Sequence, residues 1–137
     1  MERRKGVIAI VTKDGKILMG KKKHKPGHFL SDKWHFPGGK AEEAETFEQA
    51  LLREMKEELD VTLNIESKIL EYEYHFGEHI GDGAVFHCTT NEQLTAGDDL
   101  VEIGFFDYNE ILEIHDKDTY ERLPMEVKEF LKNFFNI

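Results

Sequence analysis

The glutamates Glu54, Glu57 and Glu58 stand at i, i+3 and i+4 in the run Arg53-Glu54-Met55-Lys56-Glu57-Glu58. In a helix that spacing projects three carboxylates from one side toward a common volume. Like charges so placed repel by about a few tenths of a kcal/mol per pair unless a cation lies between them. A hard divalent cation, which takes oxygen ligands, is the natural occupant. Just upstream, the pair Gly38-Gly39 in Trp34-His35-Phe36-Pro37-Gly38-Gly39 marks a turn where backbone can approach closely.

The elements that must position these groups are legible from pattern. Thr46 followed by Gln49 forms a capping box, and Phe47, Leu51, Met55 and Leu59 recur as one apolar stripe, so a helix spans Thr46 to Leu59 with the acids on a separate strip. Asp60 stands where a helix-ending glycine is expected, in a left-handed conformation that Asp tolerates less easily than Gly. Upstream, the apolar runs Gly6 to Thr12 and Ile17 to Lys22 flank Lys13-Asp14-Gly15-Lys16, a strong hairpin signal. Residues Lys21 to Asp32 form a basic loop broken by Pro26 and Gly27. Downstream, strands are expected over Ile65 to Phe76 and Ala84 to Thr90, joined through 77–83, and over Glu102 to Tyr108. Leu123, Val127, Phe130, Leu131 and Phe134 predict a closing helix over Arg122 to Phe135.

Composition bounds what such a site serves. The 137 residues suit one domain spanning the whole chain, with 39% hydrophobic residues to fill a core. Eighteen basic residues against twenty-eight acidic ones leave a net charge of −10, which argues against nucleic-acid polymers and anionic membranes as partners. The lone Cys88 excludes an internal disulfide or a paired-cysteine metal knuckle and points to a reducing, cytoplasmic setting. No stretch is long and apolar enough to span a bilayer. The seven histidines show no zinc-ligand spacing.

Gly39, Glu45 and the run Arg53 to Val61 match G-x5-E-x7-R-E-U-x-E-E-x-G-U at every fixed position but the last glycine, replaced by Asp60. This resembles the Nudix box. An isolated Glu-x-x-Glu-Glu is more often a solvated face, but the fixed offsets to Gly39, Glu45 and Arg53 set this one apart. The resemblance implies an α/β fold, an α/β/α sandwich with a mixed β-sheet, and a Mg²⁺-dependent pyrophosphohydrolase in which Mn²⁺ can substitute. It implies metal binding by the Gly38 carbonyl with Glu54, Glu57 and Glu58, water activation or orientation by Glu54, and a frame held by Arg53 paired with Glu45. The chemistry is coherent: a phosphoanhydride repels a nucleophilic water, and a divalent cation held by carboxylates neutralises the phosphates.

The flanking residues, including Phe36-Pro37-Gly38-Gly39-Lys40 and Leu70 to Tyr74, are similar to the MutT type, which acts on oxidised nucleoside triphosphates. By that likeness Lys22 or Lys23 and His28 approach the nucleotide with Gly39, and Phe36 either lies against a base or packs in the core. A late-loop acid completes the metal site or acts as base; among Asp98, Asp99 and Glu102, Asp99 is chosen. Asn109 falls too early to match the asparagine that reads an oxidised purine. Tyr74 to Gly77 lacks the proline that marks ADP-ribose hydrolases, and Pro-Gly-Gly in place of Pro-Lys-Gly argues against diadenosine polyphosphates.

The expected activity is hydrolysis of a nucleoside triphosphate, such as 8-oxo-dGTP, to the monophosphate and pyrophosphate. The alternatives are another nucleoside diphosphate derivative (a sugar nucleotide, ADP-ribose), a pterin triphosphate, or a non-catalytic nucleotide sensor. Homodimerisation is common in the resembled family, and the sequence leaves it undecided.

Overall fold

Asp14 and Gly15, both at positive φ, turn the chain back on itself as the dipeptide predicts. They join strand β1 (Arg4–Lys13) to strand β2 (Lys16–Lys22). The structure is a computed structural model that describes residues 3–76 and 79–137.

The remaining elements are β3 (Trp34–His35), β4 (Gly38–Lys40), α1 (Phe47–Leu59), β5 (Asn64–Phe76), β6 (His79–Thr89), β7 (Leu100–Phe106), α2 (Tyr108–Ile114), α3 (Lys117–Glu121) and α4 (Met125–Phe134). Among the described residues seven strands form one mixed sheet. β1 runs parallel to β6 from Arg4↔Gly81 to Thr12↔Thr89, whereas β5 pairs antiparallel with β6 and β7 with β2.

β1 and β2 pair only beside their turn, at Thr12↔Ile17 and Lys13↔Lys16. Beyond it, β4 pairs β1 and β3 pairs β2. The Phe36-Pro37 link between them is fastened by a hydrogen bond from the Ala9 amide to the Pro37 carbonyl. The Pro-Gly-Gly segment therefore lies inside the sheet.

Alternation along the strands builds two cores. Val7, Ala9, Val11, Leu18, Ala84 and Phe86 pack under Ala50, Leu51, Met55 and Leu59 of α1. Ile10, Ile17, Met19, Phe36 and Val85 pack under Ile111, Leu123, Val127 and Leu131 on the other face. Each large side chain so buried contributes about 1.5–3 kcal/mol. Helices on both faces of a mixed sheet make the α/β/α sandwich that the sequence implied. In α1, Thr46 and Gln49 exchange both capping-box hydrogen bonds, and Asp60 ends the helix in the left-handed region.

Several boundaries differ from expectation. β2 ends at Lys22, as the apolar run predicts, so Lys21 and Lys22 belong to the strand and not to the basic loop expected to begin at Lys21. The last strand is Leu100–Phe106, because the Asp107 side chain caps a helix at Glu110. α4 starts at Met125, because Leu123 closes the turn after α3 and Pro124 sets the new N-terminus. Residues 79–83 belong to β6, and residues 77–78 of the expected connection lie outside the described residues. β3, β4, α2 and α3 are too short to show a period and were not anticipated.

Candidate active site

The backbone leaves no room for side chains where β4 meets its neighbours. A Cβ on Gly38 would collide with the Val7 carbonyl oxygen. One on Gly39 would stand 2.6 Å from the Glu54 Cγ and closer still to its Cδ. The two glycines thus let β4 lie against β1 on one side and receive the Glu54 side chain of α1 on the other.

Arg53 ties the loop before α1 to the helix. Its Nε donates to Glu45 Oε2 at 2.8 Å, and its Nη2 donates to Glu45 Oε1 and to the Lys40 carbonyl, each at 2.9 Å. Glu45 Oε1 also accepts from the Glu42 amide. The Arg53 guanidinium, foremost, and the Glu42 amide hold the Glu45 carboxyl down to about 2. Neither Arg53 nor Glu45 lines the cleft described below, so both act from behind it.

The three box carboxylates occupy three environments. Glu57 is half exposed, and its carboxylate turns to Arg53 Nη1 at 3.3 Å. Glu54 is half-buried and accepts from the same Nη1 at 3.1 Å; burial outweighs Arg53 and raises its pKa. Glu58 is only 6% exposed, and its Oε2 is buried without a hydrogen-bond partner. Burial first, then the charges of Glu54 and Asp99, push its carboxyl up to about 8. Among the described residues no three His, Cys, Asp or Glu side chains are gathered closely enough to hold an ion together. Arg53 supplies the counter-charge for Glu54 and Glu57, whereas Glu58 has no such ion pair among the described residues and feels the charges of Glu54 and Asp99.

Opposite the helix, Lys22 is 7% exposed, and its Nζ pairs with Asp99 Oδ2 at 3.1 Å. Lys23 is nearly half exposed, pairs with Asp99 Oδ1 at 3.2 Å, and does not line the cleft. Burial alone would raise the Asp99 carboxyl, but the two ammonium groups hold it below its ordinary value. The His28 ring accepts from the Leu30 amide at Nδ1 and stacks on Phe29; burial, then Lys22 and Lys25, lowers its pKa.

Glu54, Glu58, Gly38, Gly39, Lys22, His28 and Asp99 share one cleft of about 1000 Å³. Phe36 reaches its wall but is 4% exposed and packs against His115, so the core role is the one realised. Sequence reasoning missed Tyr72 and Tyr74 as cleft residues, along with His35 and His115. The tyrosines face Gly83 and Gly81 across the β5–β6 pair, a relation invisible until the register is known. His35 donates from Nδ1 to the Phe36 carbonyl, while its buried Nε2 has no partner.

The site thus joins a glycine cradle, an arginine-locked loop and a buried carboxylate at the head of a cleft within an α/β/α sandwich. The chain belongs to the Nudix family, with residues 2–125 matching the NUDIX domain. It is 33% identical over 108 residues to an ADP-ribose pyrophosphatase of Methanocaldococcus jannaschii, covering 77% of this chain and 62% of that protein. It is 33% identical over 106 residues to an oxidized purine nucleoside triphosphate hydrolase of Danio rerio, covering 76% of this chain and 66% of that one. The matches thus span a little under two thirds of the length of both relatives. The crystal structure of a MutT protein from Methanosarcina mazei Go1 shares the fold, with a TM-score of 0.73 and 19% identity over 99% of this chain and 96% of that one. Among the described residues no helix is long and apolar enough to cross a membrane.

Proposed function

We propose that this protein hydrolyses a phosphoanhydride in a nucleoside triphosphate, with Mg²⁺ as cofactor and Mn²⁺ as a substitute. An oxidised purine nucleotide such as 8-oxo-dGTP is the leading candidate, cleaved to the monophosphate and pyrophosphate. The observation that carries this reading is Glu58, a nearly buried carboxylate with an unpartnered oxygen beside Glu54 at the head of the cleft. A buried carboxyl without a partner is costly to ionise, which is what pushes its pKa up to about 8, and a bound cation would stabilise its charged form.

Glu54, Glu58 and Gly38 line the cleft and offer oxygen donors to such an ion, while Glu57, which pairs with Arg53 outside the cleft lining, would have to turn from it to join them. The ion would supply charge neutralisation at the phosphates and acidify a bound water. Arg53 and Glu45 keep α1 and the preceding loop in register with β4. The Glu54 carboxylate, pressed over Gly39 and raised in pKa, would orient the attacking water and accept its proton. Lys22 and His28 line the cleft and would contact phosphate oxygens, and Tyr72 and Tyr74, also in its lining, would lie against a base. The free, buried Cys88 accords with a reducing, cytoplasmic setting.

The test is a panel of 8-oxo-dGTP, dGTP, CTP and ADP-ribose incubated with Mg²⁺, the last because one relative carries that substrate in its name. Pyrophosphate release from a triphosphate, reduced about 10²-fold or more by Glu58→Gln, supports the proposal. Equal activity in the variant, or tight nucleotide binding with no turnover of any panel member, overturns it in favour of a displaced metal site or a sensor.

A further inference from the structure

We propose that Lys22 and Lys23 form a seat for a phosphate anion and that Asp99 is a tethered carboxylate filling that seat until a polyphosphate displaces it. Asp99 is then a displaceable counter-ion rather than a metal ligand or a general base. The inference rests on the hydrolase reading for its ligand class but not for its geometry.

Each Asp99 oxygen has its own ammonium, Oδ2 with Lys22 Nζ at 3.1 Å and Oδ1 with Lys23 Nζ at 3.2 Å. The Asp99 carbonyl also accepts from the Lys23 amide at 2.7 Å. Consecutive residues of a regular strand point to opposite faces, so two neighbouring lysines cannot ordinarily share one carboxylate. Here the β2–β7 register shifts just before Lys22 and β2 ends there, so the alternation does not extend to Lys23, and both ammonium groups meet Asp99.

The loop carrying Asp99 is anchored to the helix that carries the box carboxylates. Gly97 donates to the Glu58 carbonyl at 2.8 Å, and Leu100 donates to the Gly97 carbonyl at 2.9 Å. The carboxylate is therefore held at a fixed place on the cleft wall, near Glu54 and Glu58 but facing the lysines. With both oxygens engaged by cations, it is poorly suited to take a proton from water.

A carboxylate between two ammonium groups has the charge and the hydrogen-bond acceptors of a phosphate oxygen pair. Lys22 is nearly buried, so it needs an anion at all times, and Asp99 meets that need in the unliganded protein. Lys22, Lys25 and Lys40 line the cleft together with Glu54, Glu58 and Asp99, so the Asp99 charge weighs directly on how well an anion is held there. The incoming phosphate competes with Asp99 for Lys22.

The sign of the effect follows. Removing the competitor leaves Lys22 buried without its anion and takes one negative charge from beside the ligand, so polyphosphate binding tightens. Calorimetric titration of the full chain with inorganic tripolyphosphate at low salt should show Asp99→Asn binding about three- to tenfold tighter than the parent. Lys22→Met should abolish that gain in the double variant. Mn²⁺ affinity, read by electron paramagnetic resonance without phosphate, should change less than twofold in Asp99→Asn. Asp99→Ser removes the same carboxylate and repeats the measurement should the asparagine variant fold poorly. Unchanged or weaker tripolyphosphate binding in both variants overturns the proposal, as does a tenfold loss of Mn²⁺ affinity. If the parent turns over no nucleotide yet the variants bind tripolyphosphate more tightly, the anion seat stands and only the hydrolase reading falls.

Discussion

Glu54 lies where a side chain on Gly39 would have to be, its Cγ 2.6 Å from the position of a Cβ there. The helix and the Pro-Gly-Gly segment are thus fitted to each other at one atom's depth, and the missing methyl of residue 39 is what admits the carboxylate. Gly39→Ala should displace Glu54 by about an ångström and lower kcat/KM about 10²-fold or more, because catalytic groups tolerate little misplacement. Steady-state kinetics with circular dichroism as a fold control checks this; an active, folded variant would show that Glu54 does not need its present seat.

Glu58 makes stability and function pull apart. Its folded-state carboxyl is pushed up to about 8 from an ordinary 4.5, so the folded protein binds more protons than the unfolded chain between those values. Metal-free stability therefore falls as pH rises through that window and stays low above it. Glu58→Gln, which keeps the shape without the charge, should be more stable than the parent by about 1–3 kcal/mol at pH 9 in chelator while losing activity. Urea denaturation at pH 5 and pH 9 reads the difference, and equal pH slopes would refute the buried-charge account.

His115 gives the opposite sign at lower pH. Burial holds its imidazole down to about 4 from an ordinary 6.5, so the unfolded chain takes up the proton first on acidification. The stability held above pH 6.5 is lost progressively toward pH 4, by about 3 kcal/mol at most. The ring packs against Phe36 and Tyr120. His115→Phe should preserve that packing and flatten the slope between pH 4 and pH 6.5, with buried His35 responsible for part of what is left. Denaturation midpoints across that range test it.

Asp60 is the one departure from the box, and it adopts the left-handed conformation a glycine would take, at φ 51° and ψ 44°. Its ion pair with Lys56 is exposed at both ends and adds little. Asp60→Gly should stabilise the protein by about 0.5–1 kcal/mol, the relief of left-handed strain exceeding the added freedom of the unfolded chain. Thermal melting in the presence and absence of Mg²⁺ measures it, and activity per folded molecule should not change.

What the amino-acid order determined by itself was whatever neighbours within a few residues decide. The capping box at Thr46 and Gln49, the stripe Leu51-Met55-Leu59 and the Asp14-Gly15 turn are local energetics, and each took the form its pattern required. The pairing of Glu45 with Arg53 came from the family resemblance and not from local pattern, and the structure contains that ion pair. Only the tertiary structure decided which of three similar glutamates is buried. Glu57 reaches solvent and Arg53, while Glu58 faces the cleft under the loop that carries Asp99. Pairing across strands likewise set Tyr72 against Gly83, brought Lys22 and Lys23 to one carboxylate, and supplied the partners that β3 and β4 need to exist at two and three residues. Burial and register arise from contacts between distant segments, and desolvation, which assigns each of these charged groups its behaviour, follows from them.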